Sequence, residues 1–356
     1  MTKVFSMKNA RLLLQLLFCA GPLLTVTLAF GQEPAKAPSN PPPSSTPPTA
    51  QQTTPPAGAS QNDAVQTPAS QSPDDRDIPR IRTFVNEVNV VFTVTDKHGR
   101  QVKDLKQQDF RFLDDNKPAE EIRSFQNETN LPLQVGLLVD ASNSVRDRFK
   151  FEQQAAIEFM NQTVRPRYDV AFVVGFDATP EVTQDFTDST EALAHGVHEL
   201  RPGGGTALFD ALYYACRDKL MKAPQNGPAR RAIILLTDGE DNQSHVTREE
   251  AIEMAQRAEA VVYTISTNIS GTKGAGDKIL ERIADATGGR AFFPFQLRDV
   301  ADAFAEIQNE LRSQYAVSYK AASFKPDGRY RTIEIVANDR KNFRVRARRG
   351  YYAPAR

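Results

Sequence analysis

Apolar residues recur along this 356-residue chain in two rhythms. From residue 84, Val88, Val90, Phe92 and Val94 alternate with Asn89, Val91, Thr93 and Thr95, the period of a half-buried strand. Asp96-Lys-His-Gly99 supplies a turn after it. Phe110 with Phe112, and Ile122 with Phe125, predict further short strands separated by Asp114-Asp-Asn116. The C-terminal end has the same rhythm: Tyr315, Val317 and Tyr319 alternate, then Ile333 and Ile335, then Phe343, Val345 and Ala347. Pro326-Asp-Gly328 turns between the first two of these strands, and Gly350-Tyr-Tyr352 closes the last one.

The middle of the chain changes period. Leu133 to Val139, Val170 to Phe176, Ala232 to Leu236 and Val261 to Ile265 are near-continuous apolar runs, the pattern of strands buried on both faces. Helical spacing appears between and after them, over 146–162, 189–200, 207–221, 248–259, 277–286 and 298–312, with Thr247-Arg-Glu-Glu250 as a capping box for the fourth. Strands alternating with helices predict an α/β fold, a doubly wound and mostly parallel sheet covered on both sides. The strand-rich flanks predict a small β-sandwich in which that α/β part is inserted, or by which it is flanked. In open α/β sheets, the loops at the carboxyl ends of the strands make the ligand site.

The first 80 residues are different in kind. Lys3, Lys8 and Arg11 precede an apolar run from Leu12 to Phe30, and Ala29-Phe-Gly31 puts small residues where a signal peptidase would cut. Residues 1–31 are therefore expected to be a signal peptide, or else an uncleaved membrane anchor, which Gly21 and Pro22 would interrupt. Phe18 before Cys19 is too bulky for a typical bacterial lipidation site. Residues 32–80 hold 12 of the 23 prolines and no aromatic residue, so they are expected to form a disordered, extended tether. The expected location is outside the cytoplasm: periplasmic, cell-surface or secreted.

Two cysteines are present, and Cys19 would leave with a cleaved signal. Cys216 would then have no partner, and its apolar helix-like surroundings predict a small buried hydrophobe and not a reactive thiol. Lysine plus arginine equals aspartate plus glutamate, at 44 each, so no net field points to nucleic acid. Arg344, Arg346, Arg348 and Arg349 on the last strand are expected to form a solvated face that discourages edge pairing. His195 and His198 sit at helix spacing, without the further ligands that zinc would need.

The chemistry concentrates at three loops. Leu137-Leu-Val-Asp-Ala-Ser-Asn-Ser144 leaves a buried strand with Asp140, Ser142 and Ser144 two residues apart. Arg201-Pro-Gly-Gly-Gly-Thr206 brings a hydroxyl on a glycine-rich turn, without the lysine of a nucleotide-binding loop. Leu235-Leu-Thr-Asp-Gly239 ends another buried strand with a carboxylate and a glycine. Each alone is commonplace, as a cap or a turn.

Together and in this order they resemble the metal-ion-dependent adhesion site of the von Willebrand factor type A family. Asp140, Ser142 and Ser144 match its Asp-x-Ser-x-Ser stretch, Thr206 its threonine, and Asp238 its aspartate before glycine. Asn143 stands where glycine is common, and Val145 where methionine is often found. The resemblance extends to Ala284-Asp-Ala-Thr-Gly-Gly-Arg-Ala-Phe-Phe293, and the flanks look like a bacterial exported subgroup. It implies a type A domain over 131–312, with 81–130 and 313–352 as the two parts of the sandwich.

For function, the resemblance implies a divalent cation, magnesium first and manganese or calcium as alternatives. Serine and threonine hydroxyls would bind it directly, with one or both aspartates able to act through water. A largely neutral set of ligands leaves charge on the metal, so a protein partner's carboxylate can complete the shell. The expected role is binding without catalysis, in an adhesion-like module. The membrane would be engaged only through an uncleaved anchor. A metal-rigidified envelope scaffold or assembly factor is the alternative. A metal-dependent hydrolase is less favoured, since Ser142 occupies the place where aspartyl phosphotransferases need a second carboxylate.

Overall fold

The described chain opens with β1 (Glu87–Thr95), which buries Val88, Val90, Phe92 and Val94 on one face as its alternation predicts. β2 (Phe110–Asp114), the two-residue β3 (Lys117–Pro118) and β4 (Glu121–Asn127) follow. Asp115 and Asn116 turn the β2–β3 hairpin at φ of 46° and 61°, left-handed positions that Asp and Asn tolerate better than other side chains. The computed structural model describes residues 87–127, 131–223, 229–338 and 343–355. The expected signal segment and proline-rich tether lie outside the described residues. Among the described residues, no helix is long and apolar enough to cross a membrane.

β5 (Leu133–Asp140) begins the α/β part, and all of its residues are buried. In chain order there follow α1 (Phe149–Thr163), β6 (Val170–Phe176), β7 (Pro180–Thr187), α2 (Thr190–Glu199) and α3 (Leu208–Tyr214). Then come β8 (Arg230–Thr237), α4 (Arg248–Arg257), β9 (Ala260–Ser266), α5 (Ala275–Thr287), β10 (Ala291–Phe292) and α6 (Leu297–Leu311). The sheet order is β10-β9-β8-β5-β6-β7, parallel throughout except for β7. Period two along β5 sorts its side chains onto two cores. Leu133, Val135, Leu137 and Val139 pack with α1, α2 and α6, while Leu138 packs with α3, α4 and α5.

Two features of this part differ from the sequence expectation. β7 was not expected; it is an antiparallel edge strand whose residues are mostly half-buried, so no apolar period marks it. The helix expected over 207–221 is three pieces: α3, a π turn over Ala215–Lys219 and a 3-10 turn over Leu220–Lys222. Cys216 lies in the π turn, fully buried, and burial pushes its thiol up to about 12. The capping box at Thr247 and Glu250 is present at the start of α4.

The C-terminal strands return to the first ones. β11 (Tyr315–Lys320) lies between β1 and β4, and β12 (Tyr330–Ala337) pairs with β2. β13 (Arg344–Ala347) adds to β1, and β14 (Gly350–Tyr352) adds to β12. Two four-stranded antiparallel sheets thus enclose one core, with Phe92 stacked on Tyr315 at 5.4 Å and edge-on to Phe110 at 5.2 Å. Gly350-Tyr-Tyr352 does not close the strand of Val345 and Ala347: the chain crosses to the other sheet at Arg348 and Arg349.

The arginines there correct another expectation. Arg346 donates to Glu310 at 2.6 Å, and Arg348 is buried against the Asn89 and Gln256 carbonyls and the Glu259 carboxylate. They tie the sandwich to the helices of the α/β part, and only Arg344 and Arg349 of the four are exposed.

Buried carboxylates are anchored differently in the two parts. Asp114 accepts hydrogen bonds from the hydroxyls of Tyr319 and Tyr351, both at 3.0 Å, inside the sandwich. Glu152 on α1 is 1% exposed; Oε1 accepts from Arg148 at 3.0 Å, while Oε2 has no partner among the described residues. Burial pushes Glu152 up to about 8, against the opposing charge of Arg148 and with the charges of Asp140 and Asp238 adding to the rise. Its folded-state value lies above the ordinary 4.5, so the folded state binds the extra proton between those two values. The contribution of Glu152 to stability is therefore greatest below about 4.5 and falls as pH rises toward 8. Relative to Glu152→Gln, the wild type should lose on the order of a few kcal/mol over that interval. Urea unfolding of both proteins across the pH series, in metal-free buffer, measures this, and parallel profiles would contradict it.

Candidate metal centre

The carboxyl ends of β5 and β8 are adjacent in the sheet, so the loops leaving them are neighbours before any side chain is considered. β5 ends on Asp140, which is completely buried. One of its oxygens accepts the backbone N–H of Ser142 at 2.8 Å, and the other accepts the Thr237 hydroxyl at 2.6 Å. The chain then makes a single 3-10 turn over Asn143–Val145 before α1. Ser142 Oγ and Ser144 Oγ lie 2.9 Å apart, and Ser144 Oγ donates to Asp238 Oδ2 at 2.8 Å. A continuous chain of oxygens therefore links the β5 loop to the β8 loop. Ser142 is 2% exposed, whereas Ser144 stands in solvent.

Thr206 comes from the glycine-rich loop that precedes α3. That loop is fastened on both sides. Gly203 N–H donates to the Ala141 carbonyl at 2.6 Å, and the Gly204 carbonyl accepts from Asn143 Nδ2 at 3.1 Å. Thr206 N–H donates to Asn242 Oδ1 at 3.0 Å, and its carbonyl accepts the N–H groups of Asn242 and Gln243, each at 3.0 Å. All five residues read from the sequence thus lie on three loops bonded to one another. Asn143, in the place where glycine is common, uses its side chain to hold the second loop.

Gly239 has a specific reason to be glycine. Its φ is +82°, and a Cβ there would stand 2.4 Å from the Gly276 carbonyl oxygen; a Cβ on Gly276 would stand 2.2 Å from that of Asp238. The Asp238 turn is thereby pressed onto the start of α5. Nearby, Asp277 accepts from Ser266, Asn268 and Gly274, which fixes the loop after β9.

Electrostatically the centre is acidic without a resident counter-charge. Burial pushes the Asp140 carboxyl up and the Asp238 charge adds to this, while hydrogen bonds from Thr237 and Ser142 oppose it. Among the described residues, neither Asp140 nor Asp238 pairs with a lysine, arginine or histidine; the nearby Arg146 donates instead to Asn143 and the Pro202 carbonyl. Oxygen-only donors, two carboxylates and three hydroxyls, are the chemistry of a hard divalent cation. No group of three or more His, Cys, Asp or Glu that could hold a metal occurs among the described residues.

Sequence reading missed Thr237, Asn242 and Gly276. Thr237 had a weak signal, a polar residue ending a buried strand just before Asp238. The other two are set by contacts 36 residues away in one case and by backbone approach in the other, which no local pattern encodes. His195 lies on α2 with its side chain 73% exposed, 3.6 Å from Glu199.

Known proteins are similar to this chain over part of its length. Residues 135–240 match the family model for the von Willebrand factor type A domain. A curated relative, calcium-activated chloride channel regulator 1 of Bos taurus, is 28% identical over 185 residues, which is 49% of this chain and 19% of that protein. The chain thus spans about a fifth of the length of that relative. Among solved structures, a von Willebrand factor type A protein from Catenulispora acidiphila is 17% identical, with TM-score 0.42, covering 69% of this chain and 73% of that one. Proximal thread matrix protein 1 of the mussel byssus, with a zinc-occupied adhesion-site motif, is 16% identical, with TM-score 0.45, covering 54% of this chain and 48% of that one. Through the segment that begins in β5 and ends just beyond Asp238, the chain carries a von Willebrand factor type A domain.

Proposed function

We propose that this protein is an exported binding module in which Asp140, Ser142, Ser144, Thr206 and Asp238 hold a divalent cation, with magnesium the first candidate. The observation that carries the reading is the oxygen chain from Ser142 through Ser144 to Asp238, at 2.9 and 2.8 Å, at the end of the sheet. Two carboxylates with no cationic side chain paired to them among the described residues, and two hydroxyls of one loop in line with a carboxylate of another, suit such an ion. When bound, the ion supplies Lewis acidity and an oxygen-seeking position toward solvent.

The chain's own residues divide the work. Asp140, buried with both oxygens engaged by Ser142 N–H and Thr237, orients the Ser142 loop and acts through water if it contacts the ion at all. Ser142, Ser144 and Thr206 offer neutral oxygens, so positive charge is not fully quenched. Asp238, half-exposed, holds Ser144 and the N–H of Glu240. An acidic side chain on a protein partner would complete such a shell, which makes ligation the recognition event. The basic, apolar and small-residue order of the first 31 residues supports export, and the proline-rich stretch after it supports a tether.

Titration calorimetry with magnesium and with manganese should give saturable heat for the wild type and none for Asp140→Ala; equal heats from the two would reject the site. Thr206→Val, which keeps the shape but removes the hydroxyl, should weaken the cation by about 10- to 100-fold.

Recognition is separated from scaffolding by capture from an envelope extract with and without EDTA. A partner retained by the wild type should be lost with chelator and with Asp238→Ala. Retention under both conditions would mean that the cation only rigidifies the domain.

A further inference from the structure

At the opposite end of the central sheet the structure holds a second polar space. A cleft of about 430 Å³ lies between the amino-terminal ends of β5, β8 and β9 and the outer face of the sheet formed by β1, β11 and β4. That volume is in the range of small-molecule sites, roughly 300–1,000 Å³. β5 runs from Gln134 at the cleft to Asp140, so about 20 Å of strand separates it from the loops described above.

The two faces of β1 and β11 are built for different purposes. Toward the sandwich core they present Val88, Val90, Phe92, Tyr315, Val317 and Tyr319. Toward the cleft they present Asn89, Val91, Ala316 and Ser318, which are polar or of modest size, so the α/β part is not packed flush against the sheet. The space is a consequence of that alternation and not of a missing side chain.

Its charge is also lopsided. Arg231 and Arg348 line it, with Glu259 the one carboxylate among the described lining residues; Arg230 also lines it, its guanidinium donating to the Leu131 and Leu311 carbonyls. Arg231 spends Nε on Gln134 Oε1 at 3.3 Å and Nη1 on the Ala258 carbonyl at 3.0 Å, while its Nη2 makes no hydrogen bond among the described residues. It also has no ion pair among the described residues. Arg348 is 8% exposed and held mainly by carbonyl oxygens, and its one carboxylate partner, Glu259, has a half-exposed side chain. Guanidinium groups fixed by neutral acceptors keep most of their attraction for an anion and present donors in a planar fork that fits oxyanions.

We propose that this cleft is a ligand site of its own, taking a small organic oxyanion. The charged head sits against Arg231 and Arg348, and the remainder lies on the small side chains of Ala316 and Ser318. The proposal does not depend on the cation reading, because no residue is shared.

The test uses the folded chain stripped of metal and exchanged into chelator-free buffer, so the two carboxylates and three hydroxyls at the other end contribute nothing. Calorimetry is run with succinate, glucose 6-phosphate and inorganic phosphate, which separate a carboxylate source, a phosphate source and a bare anion. Succinate or glucose 6-phosphate should bind saturably with a Kd of about 1 mM or lower. Arg231→Gln should weaken that binding tenfold or more, and Ala316→Phe, which fills the space without removing charge, should do the same. Thermal unfolding of each variant checks that it remains folded. No saturable binding of any probe, unchanged binding in both folded variants, or phosphate binding as tightly as the organic anions would overturn the proposal.

Discussion

Asp140 is a completely buried carboxylate at the end of a completely buried strand, and the arrangement around it follows from satisfying that group without a cationic side chain among the described residues. An unpaired charge in such a place is costly unless donors surround it or it stays protonated. The protein provides one backbone N–H and one hydroxyl, from Ser142 and Thr237. Accepting the first bends the chain immediately after β5; accepting the second ties β5 to β8 at their carboxyl ends. Once these two bonds form, Ser142, Ser144 and Asp238 have little freedom left, and the hydroxyl chain between them is a result of the backbone path.

The same constraint explains why the loops on either side are fastened by hydrogen bonds from main chain and amide side chains, and not by ion pairs. A lysine or arginine near Asp140 or Asp238 would neutralise the carboxylates and occupy the space where a cation would sit. Instead Arg146 is turned toward Asn143 and the Pro202 carbonyl, and Arg148 toward Glu152 and Thr267. Glu152 lies close enough for the charges of Asp140 and Asp238 to raise its pKa, so α1 carries a third acid beneath the centre that stays largely protonated near neutrality.

Much of this was legible before the structure. Strands buried on both faces announce themselves as continuous apolar runs, and Val170 to Phe176 coincides with β6 residue for residue. The five oxygen-bearing residues lie at strand ends or helix starts, where polar residues stand out against apolar neighbours. What escaped notice is what burial does not pattern. β7 is an edge strand with mixed exposure, and the π turn around Cys216 has the same apolar spacing as an ordinary helix. Asn242 reaches Thr206 across 36 residues. The misreading of Arg346 and Arg348 has one cause: alternation along a strand tells that a face is polar, but not whether water or another part of the protein covers it.

That last point links the two ends of the molecule. In the sandwich strands, the polar face of β1 and β11 does not meet bulk water everywhere, because the α/β part stands over it. Arg346 and Arg348 bridge the gap by reaching Glu310, Glu259 and main-chain carbonyls, which joins the two parts through polar contacts and not through a shared apolar core. A junction of this kind cannot be filled by repacking aliphatic side chains; it keeps room and it keeps charge. The α/β part therefore has polar chemistry at both ends of its sheet, of opposite sign: carboxylates and hydroxyls where the strands finish, guanidinium groups where they start. The apolar sheet between them insulates the two, since about 20 Å of buried strand separates the ends and carries no titratable side chain between Gln134 and Asp140.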